Sequence, residues 1–166
     1  MPTLLKNQSV IKDFDPDQIS GSGTAVVTNT SSFFFYSNDP ESIGFSDLAD
    51  KGKFLNRVTV TGKGQVYTWH ANITGQTIKN CLLIYNPNSY AIQVKVLKSG
   101  TTNTPRNDVS DSEAWKNYFT NGQQRTITIA AAGYSNLFLT DIVNNGRFGM
   151  IAELDIKKVV RLLLQL

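Results

Sequence analysis

Histidine, cysteine and charged side chains are all scarce in this chain of 166 residues. The one cysteine, Cys81, excludes an intrachain disulfide, and we interpret it as a small buried thiol. The one histidine, His70, has no second histidine or nearby cysteine with which to hold a metal ion, so we interpret it as structural. The sequence also lacks a nucleophile elbow, a glycine-rich phosphate loop and a paired-histidine motif. These absences predict a protein that is not an enzyme and uses no cofactor.

Charge is low, because charged residues make up 17% of the chain and the net charge is +3, whereas a typical domain has roughly 25%. Lysine and arginine are scattered and do not alternate with aromatic residues, which argues against nucleic-acid binding. No apolar run is long enough to span a bilayer. Residues 1–6 lack the apolar stretch of a signal peptide. Serine, threonine, asparagine and glycine take the place of charges, a balance that favours an extracellular or a cell- or spore-surface location.

What the sequence does contain is alternation of apolar and polar residues in short segments separated by turns. Residues 78–97 predict a central β-hairpin, in which an apolar run is followed by a turn at residues 86–89 and by an alternating strand. Tight hairpin turns are also predicted at residues 62–64 and 144–146. Further strands are predicted at residues 33–36, 57–61, 65–71, 125–130, 137–139 and 148–156. The chain therefore predicts an all-β fold, an antiparallel β-sandwich of jelly-roll-like type.

One short helix interrupts the predicted strands. Residues 110–113 read Ser-Asp-Ser-Glu, a capping box that satisfies the free amides at a helix start. Apolar residues recur at helical spacing from Ala114 to Phe119, and Gly122 follows as a stop signal. We therefore predict an amphipathic helix near residues 110–121 that covers one end of the sandwich.

The two ends of the chain are the hardest to assign. We divide the sequence into an N-terminal arm or first strand at residues 1–20, a β-sandwich domain at residues 21–157 and an apolar C-terminal tail at residues 158–166. The tail is a last strand, a short helix or an arm that needs a partner. Because exposed apolar ends and open strand edges promote association, we expect a homo-oligomer formed through strand edges or terminal arms.

Two sets of residues are candidates for binding. The aromatic side chains available for stacking on a sugar are Tyr67, Trp69, Trp115 and Tyr118, and this hypothesis requires two exposed and coplanar rings. Acidic residues alternate at Asp13, Asp15 and Asp17, as at the start of a calcium loop. Gln18 and Thr24 stand where an EF-hand needs glycine and glutamate. The acidic segment is therefore a solvated turn or a calcium site completed by distant ligands.

Four short segments carry a resemblance to a known family. They are Tyr-Ser-Asn-Asp-Pro-Glu at residues 36–41, Leu-Ile-Tyr-Asn-Pro at residues 83–87, the Tyr118-Phe119 pair, and Thr-Ile-Thr-Ile-Ala-Ala-Ala-Gly at residues 126–133. Over about residues 20–140 the chain resembles secreted or surface β proteins of Bacillus and Paenibacillus relatives that are labelled as similar to the stalk domain of copper amine oxidase. The resemblance implies a surface β domain and supplies no catalytic residues. One histidine and one cysteine also make a poor copper site.

Composition and patterning together favour a non-enzymatic structural or interaction module of a cell surface, spore, appendage or virion, self-assembling through its ends. The alternative is a carbohydrate-binding module that uses exposed aromatic rings and has a polysaccharide as partner. An enzyme would require two acidic residues brought together in an aromatic cleft, as in glycoside hydrolysis, and no motif in the sequence indicates such a pair.

Overall fold

The computed structural model describes residues 32–50, 54–105, 110–122 and 124–165, and the fold is all-β with one α-helix. The elements in chain order are β1 (Ser32–Ser37), β2 (Ser42–Ile43), a short 3-10 helix (Phe45–Asp50), β3 (Phe54–Asn72), β4 (Ile78–Tyr85), β5 (Ile92–Pro105), α1 (Ser110–Asn121), β6 (Arg125–Ile129), β7 (Tyr134–Ile142) and β8 (Gly146–Gln165). The predicted fold class, all-β with a short helix near residues 110–121, is confirmed.

Hydrogen bonds join the eight strands into one sheet that folds over into two layers. β3 and β8 run antiparallel along most of their length. Residues 146–156 of β8 also pair with β5, whereas residues 161–165 pair with β4. The first layer therefore holds β1, β2, β5 and β6 beside one half of the β3–β8 pair, and the second layer holds β4 and β7 beside the other half. Phe138 of β7 stacks on Phe148 of β8 across the two layers, with ring centroids 4.8 Å apart.

The fold-over occurs at a bulge in the β3–β8 pair. The register shifts between Val60, which pairs with Val160, and Gly62, which pairs with Ile156. Gly62 has a φ of 90°, a conformation that a side chain would strain. The sequence predicted a hairpin turn at residues 62–64, and this prediction is wrong, because β3 continues through it. Glycine is common both in hairpin turns and in bulges within a continuous strand. The sequence does not show which strand pairs with β3 and so does not distinguish the two.

The predicted central hairpin is also wrong. β4 and β5 do not pair with each other, because β4 pairs with β7 and β8, and β5 pairs with β6 and β8. The loop between them crosses from one layer to the other. The Asn144-Asn145 turn does form, with Gly146 N donating to Val143 O at 2.8 Å, but β7 and β8 then enter different layers. Turn chemistry predicts a chain reversal and leaves the hydrogen-bonding partners open.

Two buried asparagines close the loops that cross between the layers. In both loops the side-chain amide donates to the carbonyl four residues on, from Asn72 to Gln76 at 2.7 Å and from Asn86 to Tyr90 at 2.8 Å. Both side-chain oxygens accept from the amide two residues on. Asn72 also donates to the carbonyl of Ile142, and Asn86 donates to carbonyls at the end of β6. Each asparagine thus ties a crossing loop to a strand outside that loop.

The proposed division after residue 157 does not match the structure, because residues 158–165 continue β8 rather than forming a tail. They lie between β3 and β4, and Leu162 and Leu164 are buried in the core. Of the three alternatives for this segment, the last strand is the one observed. β1 and β2 both run parallel to β3, so the sheet is not purely antiparallel as predicted. The proposed N-terminal arm, residues 1–20, lies outside the described residues.

Candidate functional site

The helix α1 lies on the outer face of the first layer. Ala114 and Tyr118 are buried against Ile151 of β8. A Cβ atom on Gly100 of β5 would stand 2.2 Å from the backbone nitrogen of Tyr118, so only glycine allows the helix to approach this closely. The Oγ1 of Thr102 donates to the Glu113 carboxylate at 2.8 Å, which adds a polar contact between the strand and the helix.

Beside this helix, five aromatic side chains form one continuous row, which we call the aromatic row. Its members are Phe34 and Tyr36 of β1, Tyr67 of β3, and Trp115 and Phe119 of α1. Ring centroids are 6.0 Å apart for Phe34–Tyr36, 5.5 Å for Tyr36–Tyr67, 6.4 Å for Tyr67–Trp115 and 5.7 Å for Trp115–Phe119. The row therefore runs across three elements, from the helix to the strand at the end of the sheet.

Four rings of the aromatic row are exposed: Phe34 by 64%, Tyr36 by 47%, Trp115 by 39% and Phe119 by 68%. Tyr67 is half-buried between them. β1 produces this arrangement by strand alternation, because Phe35 points into the core and its two neighbours point outward. Large exposed apolar patches are typical of contact surfaces. Covering one removes apolar area from water, a gain that the entropy and desolvation costs of association partly offset.

Polar and charged groups border the aromatic row. The hydroxyl of Tyr118 donates to the Glu153 carboxylate, and burial together with this hydrogen bond raises the pKa of Tyr118 to about 12. The Nζ of Lys98 lies 4.6 Å from the Tyr118 ring and 5.3 Å from the Phe119 ring. A shallow groove beside Phe34 is lined by Gln65 and Glu153 among others. The row is therefore an apolar strip with hydrogen-bonding groups along its border.

The four aromatic residues predicted from the sequence divide into two pairs. Tyr67 and Trp115 belong to the aromatic row, whereas Trp69 and Tyr118 are buried, with 7% and 5% exposure. Tyr67 and Trp115 are tilted by 32°, so they are not coplanar. The buried pair cannot stack on a ligand without opening the fold.

Sequence reasoning missed Phe34, Tyr36 and Phe119 as members of the site. Residues 33–36 were predicted as a strand, and because alternate residues of a strand face opposite sides, each surface receives two of the four rings. Which pair faces outward depends on the position of β3, which the sequence does not reveal. Trp115 and Phe119 were assigned to the apolar face of the helix with Ala114 and Tyr118, but only the latter two are buried against the sheet.

The predicted calcium ligands Asp13, Asp15 and Asp17 lie outside the described residues. Within residues 32–50, 54–105, 110–122 and 124–165, no three acidic, histidine or cysteine side chains are grouped as they would be around a metal ion. Cys81 is half-buried rather than buried; its thiol donates to the Asn136 side chain at 3.3 Å, and burial raises its pKa.

His70 is buried in the first layer. Its Nδ1 donates to the carbonyl of Pro40 at 2.8 Å, and its Nε2 lies 3.3 Å from the Ser37 hydroxyl, which donates to it. We assign these roles because a carbonyl can only accept. Burial is the main cause that lowers the pKa of His70. Ser37 is buried as well, so the pair holds β1 and the β1–β2 connection against β3.

Comparison of the chain with protein-family models, with curated proteins and with solved structures finds no match. In the part of the chain that the structure describes, no helix has the length and apolar character required to cross a membrane.

Proposed function

We propose that the chain is a non-enzymatic structural or interaction module, which docks against another protein through the aromatic row. The observation that carries this proposal is the continuous exposed row of Phe34, Tyr36, Tyr67, Trp115 and Phe119. Tyrosine, tryptophan and phenylalanine are enriched at the centres of protein interfaces, where they carry much of the binding energy. A cell surface, spore, appendage or virion is the setting that the low charge and the sequence resemblance favour.

The way the row is held also supports binding. Its rings lie on two strands and a docked helix, and each ring contacts the next one. Rings that already pack together lose little side-chain freedom when a partner covers them, so less binding energy is spent on ordering. The polar border with Glu153 and Lys98 resembles the polar rim around an apolar interface centre.

The test is self-association of the full chain, measured by size-exclusion chromatography with light scattering over a range of concentrations. We expect a mass that exceeds 18.4 kDa and that grows with concentration. Phe119→Ser should lower this mass, because Phe119 is highly exposed in the row and its loss leaves the core intact. Leu139→Ser is the matched control, since Leu139 is also exposed but lies on β7 of the second layer.

A measured mass that stays at 18.4 kDa would exclude self-association but would not show whether the row binds a polysaccharide. The same two variants are therefore compared for retention on insoluble polysaccharides. If the wild type is monomeric, and if Phe119→Ser changes neither mass nor retention, the aromatic row is not a contact surface and the proposal is wrong.

A carbohydrate-binding module is the second candidate. It is favoured by the Trp115 and Phe119 rings, which are both exposed and lie within 19° of parallel. The nearby Glu153 carboxylate and Lys98 ammonium are suited to hydrogen bonds with sugar hydroxyls. Trp69→Phe removes the buried tryptophan and leaves Trp115 as a fluorescent reporter, because the chain has two tryptophans. Saturable quenching by cello- or chito-oligosaccharides, abolished by Phe119→Ser, would support this candidate; an unchanged spectrum would exclude these sugars as ligands.

A further inference from the structure

We infer that the partner of the aromatic row is a second copy of this chain, joined through β1 by antiparallel strand addition about a two-fold axis. This inference rests on the proposed function, because it names the partner for the same surface. Three observations support it: an open strand edge, the absence of protective residues on that edge, and the position of the row relative to it.

β1 lies at one end of the sheet. It pairs with β3 through residues 32–37, and no other strand pairs with it among the residues that the structure describes. Along an edge strand, half of the backbone N–H and C=O groups point away from the sheet. In β1 the carbonyl of Tyr36 accepts from the Asn56 side chain at 2.7 Å, so a partner strand would displace this side chain or pair with the other edge groups. A second chain can therefore extend this layer through main-chain hydrogen bonds.

The sequence of β1, Ser-Phe-Phe-Phe-Tyr-Ser, carries no charge and no proline. Edge strands usually contain such residues, because they oppose pairing with another chain. The other long open edges among the described residues do contain a charge: Arg57 in β3 before residue 63, Lys98 in β5 after residue 96, Arg125 in β6 and Asp141 in β7. β2 also lies at an edge, but it spans only two residues. Among the described edges, β1 is the one that is long enough and unprotected.

The aromatic row ends at this same edge, since Phe34 and Tyr36 are its outermost rings. A two-fold axis perpendicular to the sheet places both outer faces on the same side. The two rows then continue into each other, and each copy contributes the same residues, as in any isologous interface. On the inner face, the half-buried Phe33 of each copy comes close to the partner strand, whereas Phe35 is already covered by its own core.

The alternation of side chains in β1 restricts the register in which two copies of β1 can pair. Residues of β1 alternate between the outer face and the core, so only alternate registers keep both rows on one surface. In the registers that keep β1 well paired, Phe34 stands opposite the partner's Phe34 or the partner's Tyr36. Side chains at direct and diagonal positions across an antiparallel pair are within reach of each other, so a charge at position 34 would meet the partner's charge at position 34.

The experiment follows from this proximity. The full chain, Phe34→Lys, Phe34→Glu and an equimolar mixture of the two variants are compared by sedimentation equilibrium. Each variant alone brings like charges together at the interface, and we expect its dimer dissociation constant to rise at least tenfold. In the mixture the charges are opposite, and we expect heterodimers with an affinity close to that of the wild type. Leu139→Lys, with a similarly exposed position on β7, should leave the affinity unchanged.

Each outcome separates this inference from the proposed function. If the wild type dimerises and Phe34→Lys does not weaken it, while Phe119→Ser does, the row is a contact surface but the β1 pairing is wrong. If neither variant has an effect on the dimer, both proposals are overturned. A wild type that is monomeric at every concentration overturns the second-copy inference alone. The mixture must recover dimerisation for the two-fold pairing to be supported.

Discussion

Single buried side chains decide where the crossing loops of this protein lie. Asn72 and Asn86 are fully buried, and each satisfies backbone groups in its own loop and in a distant strand. The sequence predicted turns at both places because asparagine and proline favour them. It did not predict the distant contacts, since the partners of Asn86 lie on the chain 43 and 44 residues away and no local pattern encodes them.

Replacing Asn86 tests this arrangement. Asn86→Ala removes an amide that donates to Tyr90, Ile129 and Ala130, and the buried carbonyls lose their partner. We expect the free energy of unfolding to fall by about 2–3 kcal/mol, measured by urea denaturation. Gln93→Ala, which removes an exposed amide side chain on β5, should change it by no more than about 0.5 kcal/mol. Equal effects of the two substitutions would contradict the role given to Asn86.

Among the elements, the helix shows most clearly what local sequence can specify. The capping box and the helical spacing of apolar residues predicted α1 within residues 110–121, where it is observed. Local spacing did not indicate how the helix is rotated on the sheet. That rotation depends on Gly100, a strand residue whose missing side chain makes room for the helix backbone. It leaves Trp115 and Phe119 outside, and these two rings are the part of the aromatic row that the helix contributes.

Gly100→Ala should therefore separate α1 from the sheet. The added methyl group would stand 2.4 Å from the carbonyl oxygen of Ala114 as well as close to Tyr118, so the helix must shift. We expect a loss of about 1–3 kcal/mol in the free energy of unfolding and a change in the emission of Trp115. Gly44→Ala is the matched control, because its nearest neighbour would lie at an ordinary 3.6 Å. An unchanged tryptophan spectrum in Gly100→Ala would show that the helix does not rest on this glycine.

At the scale of the whole molecule, strand content was predictable and strand pairing was not. A continuous apolar run identified β4, and alternation identified β5 and the later strands, because each of these has a face toward the core. The pairing of β3 with β8 joins residues far apart in the chain, such as Gly62 and Ile156. The sequence predicted hairpins between β4 and β5 and between β7 and β8. In the structure the two strands on either side of each turn enter different layers and do not pair with each other. The missing information is the set of long-range contacts, which a single sequence does not display.

The stability of the whole molecule should depend on pH through His70. The folded chain keeps His70 neutral, because burial lowers its pKa, although Asp39 opposes this shift. In the unfolded chain the imidazole has its ordinary pKa of roughly 6.5, so below that pH the unfolded state binds a proton that the folded state does not. The free energy of unfolding should therefore be unaffected by this group above about pH 6.5 and decrease as the pH falls toward the folded-state pKa.

Urea denaturation at pH 7.5 and pH 5.0 measures this dependence. Carboxylates also titrate toward the acid end, so the informative quantity is the difference between the wild type and His70→Gln. We expect the stability of the wild type to fall more between the two pH values than that of the variant, which has no imidazole to protonate. Equal losses in the two proteins would mean that His70 does not couple protonation to unfolding.

The position of β8 has a consequence for how the protein is made. β8 lies in both layers, beside β3 throughout and beside β5 and β4 in turn, and it follows every other described strand in the chain. During synthesis, β3, β4 and β5 therefore leave the ribosome before β8, the strand with which each of them pairs. Neither layer can close early, and the closing contacts span most of the chain, a topology that folds slowly. Until β8 emerges, the unpaired strands of the nascent chain are exposed to association with other chains.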